Sequence, residues 1–193
     1  MRIISGIYKG RIINAPGNLP VRPTTDFAKT GLFNMLNSRY KFEKLTVLDL
    51  FAGTGNISYE FISRRCKSVT AIEENSECVQ FIKKVFRDLK MENASVARAD
   101  VFAYVKKCPA SVADIIFADP PFELNNYDEL IDLIFENKLL KEKGTFILEH
   151  QSKNHFTGNK YFIEERKYGN VAFSFFETST NPNIYEFTNT PSE

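Results

Sequence analysis

Five short apolar runs punctuate the middle of the chain: Val47–Phe51, Ser68–Ile72, Ala94–Ala99, Ala113–Ala118 and Thr145–Glu149. Between them, apolar residues recur every three or four positions over Asn56–Arg65, Ser76–Leu89, Val101–Lys107 and Tyr127–Phe135. Near-continuous apolar runs predict strands buried on both faces, and the 3.6-residue period predicts helices that cover them. Strictly alternating strands and helices imply an α/β fold with a parallel, Rossmann-like sheet between two helical layers. Two later runs, Lys160–Lys167 and Val171–Phe176, flank Tyr168-Gly169-Asn170 and predict a C-terminal antiparallel hairpin, which makes the sheet seven-stranded and mostly parallel.

The chain before Leu45 has a different pattern. Ile3-Ile4-Ser5-Gly6 and Gly10-Arg11-Ile12-Ile13 predict a small β-hairpin with glycines near its turn. Pro16, Gly17, Pro20 and Pro23 interrupt regular structure. Thr24 or Thr25 can then cap a helix running to about Asn37, with Phe27, Leu32, Phe33 and Leu36 on its apolar face and Gly31 weakening it. The expected organisation is an N-terminal hairpin-and-helix extension over 1–44, an α/β domain over 45–177 and a polar, flexible tail over 178–193.

Composition narrows the class only a little. With 193 residues, 43% hydrophobic and 25% charged, the chain can bury the core of one globular domain. No apolar stretch approaches a bilayer-spanning length, and Met1-Arg2-Ile3-Ile4-Ser5-Gly6 lacks a signal-peptide hydrophobic region. Cys66, Cys78 and Cys108 are odd in number and widely spaced, as expected of reduced thiols in a cytoplasmic protein without a zinc site. His150 and His155 have no metal-ligand spacing and are expected to be ordinary polar residues. Charge is more informative. Residues 1–44 carry eight basic and two acidic side chains, a net +6, whereas the remainder carries −5. A basic head on an acidic body is the pattern of a protein that meets a polyanion at one end. Arg2, Lys9, Arg11 and Arg22 are the candidate phosphate contacts.

The candidate chemistry lies where strands end. Asp119-Pro120-Pro121-Phe122 follows the fourth strand, and Pro-Pro cannot continue a ladder. Asp119 and the Pro120 carbonyl are two acceptors suited to a planar amine, and Phe122 offers a face for a base to stack on. Asp49 precedes the turn Phe51-Ala52-Gly53-Thr54-Gly55-Asn56, whose glycines allow close backbone approach to a ligand. Ser58 stands where a dinucleotide fingerprint needs Gly or Ala, and a carboxylate at 49 would repel a diphosphate; a cationic ligand fits better. Glu73 falls twenty residues after Gly53, at a separation suited to ribose hydroxyls, and Asp100 closes the third strand within reach of an adenine amine. Four strand ends therefore converge on one rim.

With these residues in hand, Val47-Leu48-Asp49-Leu50-Phe51-Ala52-Gly53-Thr54-Gly55 resembles motif I of class I S-adenosylmethionine-dependent methyltransferases, and Asp119-Pro120-Pro121-Phe122 resembles the D/N-P-P-Y/F motif of amino-methyltransferases. Arg2-Ile3-Ile4-Ser5-Gly6, Lys9-Gly10-Arg11, Arg22-Pro23-Thr24-Thr25-Asp26 and Leu32-Phe33-Asn34 are similar to the RsmD family, and the resemblance runs from Arg2 to about Phe176. It implies a Rossmann-like methyltransferase acting on the exocyclic N2 of a guanine in bacterial 16S ribosomal RNA, of the guanine-966 type. The implied catalytic residues are Asp119, Pro120, Pro121 and Phe122. The implied cofactor, without a metal, is S-adenosylmethionine, held by Asp49, Phe51, Gly53, Thr54, Gly55, Asn56, Glu73, Glu74, Asp100 and Val101. The implied substrate is rRNA within a 30S subunit or assembly intermediate, and a monomeric enzyme is expected. The chain departs from the family pattern at Phe27, where a basic residue is usual, and at Thr30 and Gly31, near which Arg or Glu-type residues are usual.

Two other readings use the same residues. An adenine-N6 methyltransferase on DNA or RNA would share the acidic-Pro-Pro-aromatic clamp, but only about forty residues precede the core where a target-recognition domain is normally sizeable. A non-catalytic ribosome assembly factor that binds S-adenosylmethionine and only docks on RNA would not need an intact Asp119 and Phe122. A nicotinamide-dependent oxidoreductase is disfavoured by Ser58 and Asp49.

Overall fold

The computed structural model describes residues 1–17, 19, 25–124 and 126–178; the expected contact Arg22, the alternative cap Thr24 and the tail beyond Thr178 lie outside them. Along the chain the elements are α1 Asp26–Arg39, a 3₁₀ turn Phe42–Lys44, β1 Thr46–Leu50, α2 Asn56–Ser63, β2 Ser68–Glu73, α3 Ser76–Asp88, β3 Ala94–Arg98, α4 Val101–Lys107, β4 Ala113–Ala118, α5 Tyr127–Glu136, β5 Leu140–Gln151, β6 Phe162–Tyr168 and β7 Val171–Phe176.

 The seven strands assemble one sheet in the order β3-β2-β1-β4-β5-β7-β6. The first five strands run parallel, and β7 pairs antiparallel with both β5 and β6. Every strand end named above as a candidate ligand contact belongs to this parallel set, so the ends share one rim by construction.

The two faces carry separate cores. One holds Leu32, Phe33 and Leu36 of α1 with Ile57, Phe61 and Ile62 of α2 and Ile82 and Phe86 of α3. The other packs Val101 and Val105 of α4 and Leu130, Ile131 and Ile134 of α5 against Leu48, Ile116 and Leu148. Strands that read as continuous apolar runs do so because both faces are covered.

The chain before Leu45 joins the first core rather than hanging beside it: Ile3, Ile13, Ala28, Leu32, Phe33, Leu36 and Phe42 are all buried there. Its consequence is seen in α2, where all eight residues are buried. A helix covering a sheet would ordinarily keep a polar outer face. Here that face docks on the N-terminal hairpin. The Ile7 N–H donates to the Ser63 carbonyl at 2.7 Å, the Tyr8 N–H donates to Ser63 Oγ at 3.0 Å, and Ser63 Oγ donates to the Ser5 carbonyl. Gly6 permits this approach: its φ is +84°, and a Cβ there would lie 1.9 Å from the Ser63 oxygen. Within the hairpin itself only Arg2 and Ile12 form a bridge, because the chain spends Gly6 and Gly10 on left-handed turns.

Three expectations change. Phe27 is not on the apolar face of α1; it is 71% exposed, while Thr25 caps the helix by accepting from the Ala28 N–H at 3.2 Å. Its early position in the helix puts it beyond the core's edge, against Tyr168 at a centroid distance of 5.7 Å. β5 begins at Leu140, five residues before the expected start, because the polar run Lys141-Glu142-Lys143-Gly144 forms an irregularity inside the strand rather than a loop. Lys141 secures it by donating to Asp114 at 2.8 Å and to Thr46 Oγ1 at 3.0 Å. His150, expected to be an ordinary polar residue, is fully buried, with Nε2 2.8 Å from Ser174 Oγ and Nδ1 2.8 Å from the Gln151 carbonyl. Burial pushes its pKa down, partly offset by the Gln151 carbonyl and the Glu165 charge. No helix among the described residues is long and apolar enough to cross a membrane.

Candidate active site

The turn after β1 is built by backbone torsion. Phe51, Gly53 and Gly55 have φ of 57°, 54° and 80°. Gly55 then starts α2, and a Cβ on it would meet the Tyr59 ring at 2.8 Å. The Ala52 N–H donates to the Ile72 carbonyl at 3.0 Å, tying the turn to the end of β2. Glu73, at that end, accepts from the Gly53 N–H at 2.7 Å and the Asn75 N–H at 2.8 Å. Its carboxylate therefore shapes the turn as well as facing the rim.

Asp49 sits beneath this turn and is 1% exposed. Ser58 Oγ donates to Asp49 Oδ2 at 2.5 Å. Burial raises the Asp49 pKa to about 7, with the Glu73 charge adding to the effect and the hydrogen bonds from Ser58 opposing it. Ser58, noted in the sequence only as a missing glycine, is thus the side chain that holds this carboxylate.

Asp119 follows β4 immediately next door. Ala118 pairs with Leu50, and the Asp119 N–H donates to the Leu50 carbonyl at 3.4 Å. The clamp residue and the glycine turn are consequently neighbours across one strand pair. Pro120 is buried, Pro121 is exposed, and Phe122 is 47% exposed at the mouth. The Asp119 pKa is raised well above the ordinary carboxylate range by burial first, then by the charges of Glu149 and Asp49. Glu149, which ends the apolar part of β5 and is 3% exposed, is a rim carboxylate that the sequence marks only as the end of a strand. Its place shows in the register: it stands one residue past Leu148, which pairs with Ala118, as Asp119 stands one past Ala118.

The remaining expected contacts divide. Asp100 lies at the same rim, exposed, and caps α4 by accepting from the Ala103 N–H at 2.7 Å. Val101 is buried in the core behind it. Glu74 is exposed, and its carbonyl accepts from Arg98 at 3.0 Å. Phe51 packs edge-on against Phe102 at 6.4 Å, forming an aromatic wall on the β1–α4 side. Thr54 is buried, with its hydroxyl 3.5 Å from Met1 Sδ. Asn56 is engaged elsewhere: its side-chain oxygen accepts from Lys29 Nζ at 2.8 Å. Among the described residues, the hydroxyls of Tyr59, under Gly55, and of Tyr127, whose pKa the Asp119 charge helps raise, are buried without a hydrogen-bond partner.

Lys29 was counted in the basic head, yet its side chain is fully buried. Its ammonium donates to the Arg2 carbonyl at 2.7 Å and lies 3.3 Å from Glu60, itself fully buried. Glu60 also pairs with Arg64 and accepts from the Ile4 N–H. The knot joins α1, the hairpin and the first turn of α2, directly after the glycine loop. Of the expected phosphate contacts, Arg2 has a side chain 60% exposed and 3.5 Å from Asp26; Lys9 and Arg11 are exposed.

This arrangement fits a cationic ligand. The charged groups that act on Asp49 and Asp119 are other carboxylates, so an ammonium or sulfonium brought to the rim would relieve their repulsion. Among the described residues no group of His, Cys, Asp or Glu is arranged to hold a metal ion.

Known proteins share both sequence and fold. The solved structure of yhhF from Escherichia coli superimposes with a TM-score of 0.79 at 30% identity, covering 91% of this chain and 96% of that one. A SAM dependent methyltransferase from Aquifex aeolicus shares the fold with a TM-score of 0.59 at 16% identity, over 75% of this chain and 87% of that one. Ribosomal RNA small subunit methyltransferase D from Buchnera aphidicola is 35% identical over 152 residues, 79% of this chain and 76% of its own. A sequence family described as "Conserved hypothetical protein 95" matches residues 1–177. The chain belongs to this family, the RsmD family, with a class I methyltransferase fold.

Proposed function

We propose that the protein uses S-adenosylmethionine to methylate the exocyclic N2 amine of a guanine in small-subunit ribosomal RNA, at a position of the guanine-966 type. The observation that carries this reading is the placement of Asp119 one strand pair from the glycine turn, with its N–H on the Leu50 carbonyl. The name of the Buchnera aphidicola relative points to the same RNA. When bound, the cofactor supplies an electrophilic methyl group on a sulfonium.

The chain's own residues prepare the amine. A guanine amine is conjugated with its ring and is a weak nucleophile. Asp119 and the Pro120 carbonyl accept its two N–H bonds and move electron density onto nitrogen, so that catalysis rests on orientation and electrostatics. Phe122, half exposed at the mouth, stacks on the base after it leaves its own stack. Asp49, Glu73 and Asp100 hold the cofactor from three successive strand ends. The expected setting is the cytoplasm, with a monomeric enzyme acting on a small subunit or an assembly intermediate.

Nucleoside mass spectrometry of 16S rRNA with and without the gene tests the reaction. Loss of one N2-methylguanosine supports it; loss of N6-methyladenosine with N2-methylguanosine intact rejects it for the adenine reading.

Protonation supplies a second test. An ionised Asp49 attracts a cation, and its pKa is near 7. Cofactor affinity is therefore expected to rise as pH increases from about 6 to 8, by up to about tenfold per unit below the pKa. Without ligand the sign reverses: a carboxylate whose pKa is raised by folding contributes more stability as pH falls from about 7 toward 3.8. Calorimetric titration of native protein and Asp49→Asn across this range checks both; a native-like pH slope in Asp49→Asn would remove the role.

Phosphate contact predicts a salt signature. Replacing Lys9 and Arg11 with alanine should weaken RNA binding and flatten the slope of log K against log[salt] by about one per lost phosphate contact. An unchanged slope would make these residues bystanders.

A further inference from the structure

Four large apolar side chains stand exposed among the described residues: Ile7, Ile12, Phe27 and Phe122. Phe122 belongs to the clamp. Phe27 has no place in the mechanism above, and its surroundings are constructed for it. Tyr168 packs edge-on against Phe27 at 5.7 Å and 78°, and is braced from behind by Phe173 at 5.7 Å. The Tyr168 ring fits only because residue 31 is glycine: a Cβ there would lie 2.1 Å from the ring. Phe27, Gly31 and Tyr168 thus form one device across α1 and the β6–β7 turn.

The device stands at the same edge of the sheet as the catalytic rim. The strand β5 carries Glu149 beside Asp119 and continues to Gln151, which pairs with Val171. The turn from Tyr168 to Val171 therefore lies just past the rim, and the Ser152 N–H donates to the Asn170 carbonyl there at 3.0 Å. At the other end, Lys29, two residues after Phe27, reaches Asn56 at the start of α2. The first turn of α1 is thereby placed at the same edge. Arg2 approaches Asp26 at 3.5 Å, and exposed Ile12 is the partner of Arg2 in the hairpin. A braced, 71% exposed ring in the basic N-terminal segment, next in sequence to the Asp26 that Arg2 approaches, matches a nucleobase attached to a phosphate chain.

We propose that Phe27, backed by Tyr168, is a stacking platform for an unpaired base of the RNA substrate that flanks the target nucleotide. This rests on the rRNA reading above. The platform holds the strand while Asp119 and Phe122 take the target, so it acts on substrate capture and not on methyl transfer.

The test compares native protein with Phe27→Ala, Phe27→Leu and Phe27→Tyr, using small ribosomal subunits from cells that lack this methyltransferase. The expected result is a rise of about tenfold or more in KM for Phe27→Ala and Phe27→Leu, with kcat, cofactor affinity and thermal midpoint near native. Phe27→Tyr should stay within about twofold of native, because it keeps the planar ring. A native KM in Phe27→Ala overturns the proposal. So does a native KM in Phe27→Leu, which would mark an apolar protein contact, or a dimer that sedimentation shows to depend on Phe27 while KM does not. If the native protein leaves these subunits unmethylated, the rRNA reading itself fails, and the platform falls with it.

Discussion

An Asp119→Ala enzyme is expected to lose about 10²–10³-fold or more in kcat while binding S-adenosylmethionine almost as well as the native protein. On the proposed mechanism the loss is large because the carboxylate stands where positive charge develops on the amine nitrogen. The same substitution should raise the thermal midpoint of the ligand-free protein by a few degrees. Asp119 is crowded by Glu149 and Asp49, and its own pKa is raised by burial and by their charges. Removing one of the three carboxylates relieves a repulsion that the ligand-free fold carries. A variant that is less active yet more stable separates chemistry from unfolding, which few substitutions do. Single-turnover kinetics and differential scanning calorimetry check the two halves; normal turnover in Asp119→Ala would reject the clamp.

Lys29→Met should produce the largest loss of stability. The Lys29 ammonium lies 3.3 Å from Glu60, and both side chains are fully buried. Burial pushes the Lys29 pKa down, while the Glu60 and Asp26 charges push it back up, so the pair is held together by its own geometry. Removing one partner of a buried pair typically costs about 3–5 kcal/mol, because the other charge stays behind. Arg64 remains beside Glu60 and should keep the cost near the low end. Adding Glu60→Gln to Lys29→Met should recover part of the loss. Because Lys29 also holds Asn56, at the start of the helix that follows the glycine turn, cofactor affinity should fall as well. Urea denaturation of the single and double variants, with cofactor titration, decides whether the knot supports the turn; unchanged stability and affinity in Lys29→Met would dismiss it.

Much of the rim was legible because strand ends obey simple rules. A period-two or continuous apolar run fixes where a strand stops, and parallel strands all stop on one side. The sequence pattern alone therefore gathers Asp49, Glu73, Asp100 and Asp119 onto one edge. Glu149 also ends an apolar run, but nothing in the sequence distinguishes a carboxylate that faces its neighbours from one that ends a strand in solvent; the register between β4 and β5 decides it.

The N-terminal segment behaved differently. Its helix and hairpin were readable from Thr25, the glycines and the apolar spacing, but its relation to the rest was not. Lys29 looked like part of a basic surface and is a buried tie to Glu60 and Asn56. Phe27 looked like core and is an exposed ring against Tyr168. A side chain's type reports what it tolerates, whereas its neighbours depend on contacts between residues far apart in the chain, as with Phe27 and Tyr168. The sequence alone determined the alternation of strands and helices, the glycine turn and the strand-end carboxylates, since these depend on local torsion and periodicity. Tertiary structure alone decided which polar groups are buried, which carboxylates repel one another and which aromatic ring is left facing solvent, since those follow from packing across the fold.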